Sequence, residues 1–250
     1  MRIFALYNIK GGVGKTSAAV NLAYHSARDG HPTLLWDLDP QGAASYCLRV
    51  DPKVRGGRKG LLRGKHPLAE LVKPTSYSNL DVLPADFSYR HMDLELNDSK
   101  RPERRFRKLL EPLEQHYDTI FIDCPPGITL SSESMFGAAD TLLVPVIPST
   151  LSLRTLALID DFLAREELAR LRTLAFYTMV DRRKKLHRQL VESRHDSRFL
   201  FTTVPYAGDI ERMAERRAPL AEFAPRSVAA AAYAALWGEI EEAVGRGASS

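Results

Sequence analysis

A run of seven residues near the start of the chain, Lys10-Gly11-Gly12-Val13-Gly14-Lys15-Thr16, constrains the fold more than any other stretch. It follows the apolar run Ile3-Phe4-Ala5-Leu6-Tyr7, which reads as a buried strand. It opens onto Ser17-Ala18-Ala19-Val20-Asn21-Leu22-Ala23, which reads as a helix lined with small residues. A strand, a glycine turn and a helix start in that order make a seat for phosphate. Glycines let backbone N–H groups curl around an anion, the helix N-terminus adds its dipole, and Lys15 supplies a point charge. Thr16 is placed to put its hydroxyl on a magnesium ion.

Two further strand ends carry carboxylates. Thr33-Leu34-Leu35-Trp36 reads as a buried strand running into Asp37-Leu38-Asp39-Pro40-Gln41-Gly42. If the extended form lasts that far, alternation puts Asp37 and Asp39 on one side, at the edge where open α/β sheets bind ligands. Asp118-Thr119-Ile120-Phe121-Ile122-Asp123-Cys124-Pro125-Pro126-Gly127 is a second apolar strand ending in an aspartate, then a rigid proline pair and a glycine. That is the arrangement of a carboxylate that holds magnesium. Cys124 reads as a packed core residue.

The remaining elements fit one α/β domain, expected over residues 1–250 with an ordered core to about 244. Strands are expected at Asn79–Pro84, Thr141–Ile147, Thr173–Val180 and Arg198–Pro205, the apolar ones suiting a parallel sheet buried on both faces. Helices are expected over 101–116, shortened by Pro112, over Leu151–Arg170 and from Ala224 to Val244. The fold class expected is α/β: a mostly parallel twisted sheet with helices on both faces. Nothing here reaches the roughly 18 apolar residues of a membrane span, and no signal-peptide pattern opens the chain. With only two cysteines, neither a disulfide framework nor a four-ligand metal site is expected. A cytoplasmic location follows as the expectation.

The formal net charge is +4, a mild excess whose distribution matters more than its size. Residues 53–65 carry six basic side chains and no acidic one, and their glycines point to a mobile loop rather than a helix. Its role is open between a solvated loop and a phosphate-contacting arm. Between Arg182 and Arg198 there are seven Lys or Arg residues against two acidic ones, and Arg212, Arg216 and Arg217 form a second basic group.

The spacing of the first motif departs from the ordinary P-loop, G-x-x-x-x-G-K-[ST], because Ile9 stands where a glycine is required and Lys10 precedes the glycine pair. The pattern K-G-G-x-G-K-[ST] resembles the deviant Walker A motif of the ParA/MinD family of ATPases. D-x-D-P-Q-G resembles that family's switch I segment, I-D-x-P-P-G its Walker B and switch II, and T-M-x-D at Thr178–Asp181 with Val204-Pro205 its late strand ends. The resemblance covers essentially the whole chain and favours the ParA branch.

It implies a slow ATPase that uses ATP and Mg2+ and forms a homodimer in the ATP state. Gly11, Gly12, Val13, Gly14, Lys15, Thr16 and Ser17 would hold the phosphates, with Met179 and Pro205 beside the adenine. Thr16 and Asp123 would hold magnesium, Asp39 would position the attacking water, Lys15 would stabilise the transferring group, and Lys10 would reach the partner subunit's nucleotide. In DNA-binding relatives, arginines after T-M-x-D and after the late proline meet the DNA backbone. The resemblance therefore implies Arg182, Arg183, Lys184, Arg212 and Arg216 as contacts to non-specific DNA, and a nucleoid-associated location. A ParB-like or cargo-adaptor activator completes the implied system, which partitions or positions a plasmid, chromosome or protein assembly. The alternatives are an ATP-dependent scaffold that binds no DNA and a metabolic enzyme of the same fold. Against a membrane anchor of the MinD kind, the tail Leu236-Trp237-Gly238-Glu239-Ile240-Glu241-Glu242-Ala243 is acidic where such a helix needs Lys or Arg.

Overall fold

A computed structural model describes residues 1–64, 66–97, 104–165, 168, 171–193 and 196–246. In chain order, β1 (Arg2–Leu6) leads through the glycine loop into α1 (Lys15–Arg28), then β2 (Thr33–Asp37) and α2 (Ala43–Cys47). Three short elements follow, α3 (Gly57–Leu62), α4 (Leu68–Leu71) and β3 (Lys73–Pro74), before β4 (Leu80–Leu83), α5 (Met92–Asn97) and α6 (Arg105–Leu110). Next come β5 (Thr119–Asp123), α7 (Leu130–Ala138), β6 (Thr141–Val146), α8 (Thr150–Arg165) and β7 (Arg172–Tyr177). The chain closes with α9 (Lys185–Ser193), α10 (Gly208–Arg216), α11 (Leu220–Phe223) and α12 (Val228–Arg246).

The strands form one seven-stranded sheet in the order β3-β4-β2-β5-β1-β6-β7. All pairs are parallel except β3 with β4 at one edge. Because β2, β5 and β6 are buried at every residue, their apolar content is continuous rather than alternating. One face is covered by α3 to α8, whose Leu61, Met92, Phe106, Met135 and Leu156 pack with Trp36 and Ile122 of the sheet. The other is covered by α1, α2 and α10 to α12, where Trp237 of α12 meets Phe4 and Phe121 edge-on. The chain leaves β1 toward β2 on one side and later returns to place β6 on the other. The carboxyl end of β1 is therefore a switch point, the place where such sheets bind ligands.

Three expectations need correction. The glycine-rich stretch 53–65 is not a loop throughout, since 57–62 is the helix α3; Lys65 lies outside the described residues. Gly60 presses so closely on the preceding turn that a Cβ there would lie 2.9 Å from the Arg55 carbonyl, and Leu61 and Leu62 are buried. The glycines thus make a tight, anchored turn of helix. The segment 198–205 is not a continuous strand: it pairs with β7 and its extension at the isolated bridges Ala175–Phe199 and Val180–Pro205, with one further bond from the Val204 N–H to the Tyr177 carbonyl (2.8 Å). Between them the Glu239 carboxylate of α12 accepts from the N–H groups of Phe201 and Thr202, drawing away amides a ladder needs. The extended form of β2 ends at Asp37, which parts Asp37 from Asp39.

The helix expected over 101–116 spans Arg105–Leu110 and tightens into a 3-10 turn at Glu111–Leu113, where Pro112 sits, with residues 101–103 outside the described set. The helix expected to reach Arg170 is described to Arg165, and 166, 167, 169 and 170 lie outside the described set. Among the described residues no helix is long and apolar enough to cross a membrane.

Candidate nucleotide and magnesium site

The loop after β1 is pinned before any ligand arrives. Asn8 donates its amide to the Pro145 carbonyl (2.9 Å) and accepts from the Lys10 N–H (2.9 Å), tying the loop to the end of β6. The Gly127 N–H donates to the Ile9 carbonyl (3.1 Å), and the Gly127 carbonyl accepts from Tyr7 (2.9 Å), which ties it to the loop after β5. Gly12 and Gly14 take φ of +70° and +84°, a region where side chains are strained. Gly14 caps α1 without a side-chain hydrogen bond, and the first turn holds no acidic residue. The leading N–H groups of α1 are thus free for an anion.

Lys15 is buried, and its Nζ donates to the Lys10 carbonyl at 3.3 Å, folding the side chain back over the loop. Burial pushes its pKa down, while Asp123, Cys124 and Asp39 act to raise it. Lys10, five residues earlier, is exposed, and its ammonium has no hydrogen bond or ion pair among the described residues. One loop therefore carries one lysine held inward and one held out.

Asp37 and Asp123 are register partners on β2 and β5, so their carboxylates emerge side by side at the carboxyl edge. Asp37 is fully buried; its Oδ2 accepts from the Ser45 N–H and hydroxyl, each at 2.7 Å, which fastens α2, while its Oδ1 has no hydrogen-bond partner among the described residues. Burial, offset in part by those hydrogen bonds, pushes its pKa up to about 6. Asp123 is also fully buried, yet neither carboxylate oxygen has a hydrogen-bond partner among the described residues. Burial first, and Asp37 second, raise its pKa well above the usual value, while the Thr16 hydroxyl and Lys15 pull it down. A buried carboxylate with open lone pairs, beside Thr16 and with Asp37 and Asp39 nearby, lacks positive charge that Lys15 alone does not supply. The oxygen donor set fits a small hard divalent cation such as magnesium.

Asp39 lies beyond the strand, half-buried, and its side chain accepts from the Gln41 N–H (2.9 Å). With Gly11, Gly12, Gly14, Lys15, Thr16, Ser17, Pro126 and Met179 it lines a crevice of about 320 Å3. A larger cleft of about 940 Å3 between α1, α10 and α11 contains none of these residues. Buried ionisable groups and free helix amides converge on the smaller one.

Met179 reaches the crevice with φ of +53°. Pro205 does not line it but pairs with Val180 alongside, and Val13 is buried beneath the loop. Sequence reasoning missed Asn8, Ser45, Pro126 and Thr178, whose Oγ1 lies 3.3 Å from where a Gly14 Cβ would be. Asn8 left a trace, a buried amide at the end of an apolar run.

The residues expected to meet DNA divide between two segments. Arg182, Arg183 and Lys184 form the exposed turn before α9, and Arg212 and Arg216 lie on α10. The Val180–Pro205 bridge makes both segments leave the same corner of the sheet. The Arg183 side chain is 86% exposed and pairs with Asp181 at 2.9 Å, which holds that carboxyl down to about 2. Arg212 pairs with Asp209 (3.4 Å) and Glu215 (3.9 Å).

Residues 1–169 match a family model described as an AAA domain. The chain is 40% identical to the chromosome partitioning protein ParA of Myxococcus xanthus over 146 residues, 58% of this chain and 52% of that protein. Thus the chain spans about half the length of that relative. It is 30% identical to the chromosome-partitioning ATPase Soj of Treponema pallidum over 241 residues, 93% of this chain and 94% of that one. In fold it is similar to the McdA–ATP complex of Cyanothece, with a TM-score of 0.83, 20% identity and coverage of 98% and 96% of the two chains.

Proposed function

This chain belongs to the AAA-domain family of ParA-type P-loop ATPases, and we propose that it is an ATP-driven switch that partitions or positions a cargo along DNA. The observation that carries the reading is the pairing of a buried Lys15 and an orphaned Asp123 carboxylate under a glycine loop with free helix amides. That arrangement binds a triphosphate together with its cation. Thr16 and Asp123 would hold magnesium, which would supply charge neutralisation at the phosphates when bound.

The chain's own residues do the rest. The loop amides and Lys15 fix the phosphates, so that catalysis rests on positioning and electrostatics rather than covalent chemistry. Asp39, at the crevice wall, orients a water by accepting its proton in a hydrogen bond. Asp37 is held in place by Ser45 through Oδ2 and stands beside Asp123 with Oδ1 open. The exposed Lys10 is free to reach a second copy of the chain across a nucleotide, and the site is complete only in that dimer. An activating partner protein then sets the slow turnover.

Several contacts suit a nucleotide-driven change in DNA affinity. Arg217 donates to the Tyr46 carbonyl of α2 (3.1 Å), and Arg49 donates to the Arg217 (3.1 Å) and Arg216 (3.3 Å) carbonyls at the end of α10. The helix that follows the Asp37–Asp39 segment is therefore clasped to the helix bearing Arg212 and Arg216. A nucleoid-bound location in the cytoplasm follows from this reading.

The intramolecular pairs of Arg183 and Arg212 favour a second reading, a scaffold whose arginines stabilise their own turns. Binding to random-sequence duplex DNA, compared with ATP and with ADP across a salt series, decides between them. Binding that needs ATP, weakens with salt and is lost in Arg183→Glu supports the DNA track. Failure in both nucleotides transfers the function to the scaffold.

A further inference from the structure

The DNA reading leaves one strongly charged surface without a role. It is built on α3, the turn before it and the 3-10 turn Phe87–His91, on the β2–β4 side of the sheet. The Ser88 hydroxyl accepts from the Arg58 N–H (2.8 Å), so the two segments form one surface. Arg58, Lys59 and Arg63 all face one carboxylate, Glu95, at 3.7, 4.0 and 3.2 Å. Glu95 cancels one of these three charges. Lys53 faces Asp86, whose oxygens already accept from the Val54 and Ser88 N–H groups (3.0 and 2.9 Å). Arg55 is exposed and has no ion pair among the described residues. Arg90 lies 3.7 Å over the ring of Phe87, which is 65% exposed.

Among the described residues, these six cations thus stand around Glu95 and Asp86 on a surface that is folded, not loose, since Leu61, Leu62 and Val54 anchor it in the core. Such an excess attracts a polyanion, and it lies far along the sheet from β7, where Arg182–Lys184 emerge. Nucleic-acid interfaces are much richer in positive charge than protein–protein ones, and these cations spread over two turns and a helix instead of closing into one pocket.

We propose that the α3 surface, through Lys53, Arg55, Lys59 and Arg90, is a second contact to the nucleic-acid backbone, separate from the corner that carries Arg183 and Arg212. This rests on the DNA-binding reading. Such a contact adds affinity and salt sensitivity without reading sequence, because phosphates carry no base information.

The test is the full chain with ATP on random-sequence duplex DNA, with affinity followed against salt. It compares the unaltered chain, the triple variant Arg55→Gln/Lys59→Gln/Arg90→Gln, and Arg183→Glu. The triple variant leaves Arg58 and Arg63 on Glu95, and equal thermal melting checks its fold. Each lost phosphate contact reduces the slope of log affinity against log salt by about 0.9 on duplex DNA. The triple variant should therefore lose roughly two to three units of slope and bind more weakly at every salt concentration. An unchanged slope in the triple variant, with the unaltered chain binding normally, overturns the α3 contact and leaves the DNA track standing. No binding by the unaltered chain in either nucleotide overturns both. An unchanged DNA slope with lost binding to poly-glutamate would also overturn the proposal and assign the surface to an acidic protein.

Discussion

At the carboxyl edge of the sheet, Lys15, Asp37 and Asp123 place ionisable groups inside the protein, whereas at the basic corner Arg183 stands 86% exposed. The first three are surrounded by one another, by Ser45 and by the main chain of the glycine loop. Arg183 has a single close partner, Asp181, two residues away. Burial makes electrostatic interactions strong and indispensable, while solvent screens exposed ones to fractions of a kcal/mol. Chemistry placed at the edge therefore depends on a few irreplaceable groups. Binding placed on the surface depends on the sum of many weak ones, and loses little when one is removed.

The largest effect expected from breaking the buried set is that of Lys15→Ala. It should reduce ATP affinity by at least about a hundredfold, as loss of a buried charged hydrogen-bonding group costs roughly 3 kcal/mol or more. Titration calorimetry reads it, and unchanged affinity would remove the phosphate assignment. Next is Asp39→Ala, which should leave ATP binding and dimer formation intact while turnover falls tenfold or more in a phosphate-release assay. Near-normal turnover sinks its role in placing water.

Asp37→Asn sharpens the comparison through pH. The folded pKa of about 6 exceeds the ordinary 3.8, so the folded chain holds this proton more tightly than the unfolded one. The stability it contributes is complete below about pH 4 and is lost as pH rises through about 6. In nucleotide-free protein, the stability difference between the unaltered chain and Asp37→Asn should shift by on the order of 3 kcal/mol across that window. Urea melts at pH 4 and pH 7 measure this, and a difference independent of pH would show that Asp37 does not titrate there.

The smallest effect should come from Lys10→Ala. The side chain is exposed and unpaired among the described residues, so the monomer's melting temperature should move by no more than a degree or two. ATP-dependent dimerisation, followed by light scattering, should weaken. A dimer of unchanged strength counts against a lysine that acts across the interface.

The two lysines of one loop also mark how far reading the chain could go. Lys15 was assignable from spacing alone because strand, glycines, lysine and threonine act as one local unit. The strand ends at Asp37 and Asp123 were legible for a related reason, since continuous apolar runs in a parallel sheet stop where solvent begins. The resemblance gave the water-positioning role to Asp39, but the anchoring of Asp37 was not legible, because it depends on Ser45 arriving from the next helix to bind its Oδ2. The misreading of 53–65 has the same origin. Glycines raise the prior for a loop, but here they permit a close backbone approach that only the packed partner reveals. The apolar stretch near Phe201 looked like a strand until Glu239, nearly forty residues later, claimed its amides.

By itself, the sequence determined the order of elements, the parallel character of the sheet, the glycine seat for phosphate and the family. Each of these is written in neighbouring residues, where steric and hydrogen-bonding preferences act over a few positions. Only the tertiary structure decided which carboxylate oxygens stay without partners, how each lysine of the loop is held and where the surplus surface charge gathers. Those depend on burial and on partners from distant segments, and the free energy of a charge is set by its surroundings more than by its position in the chain.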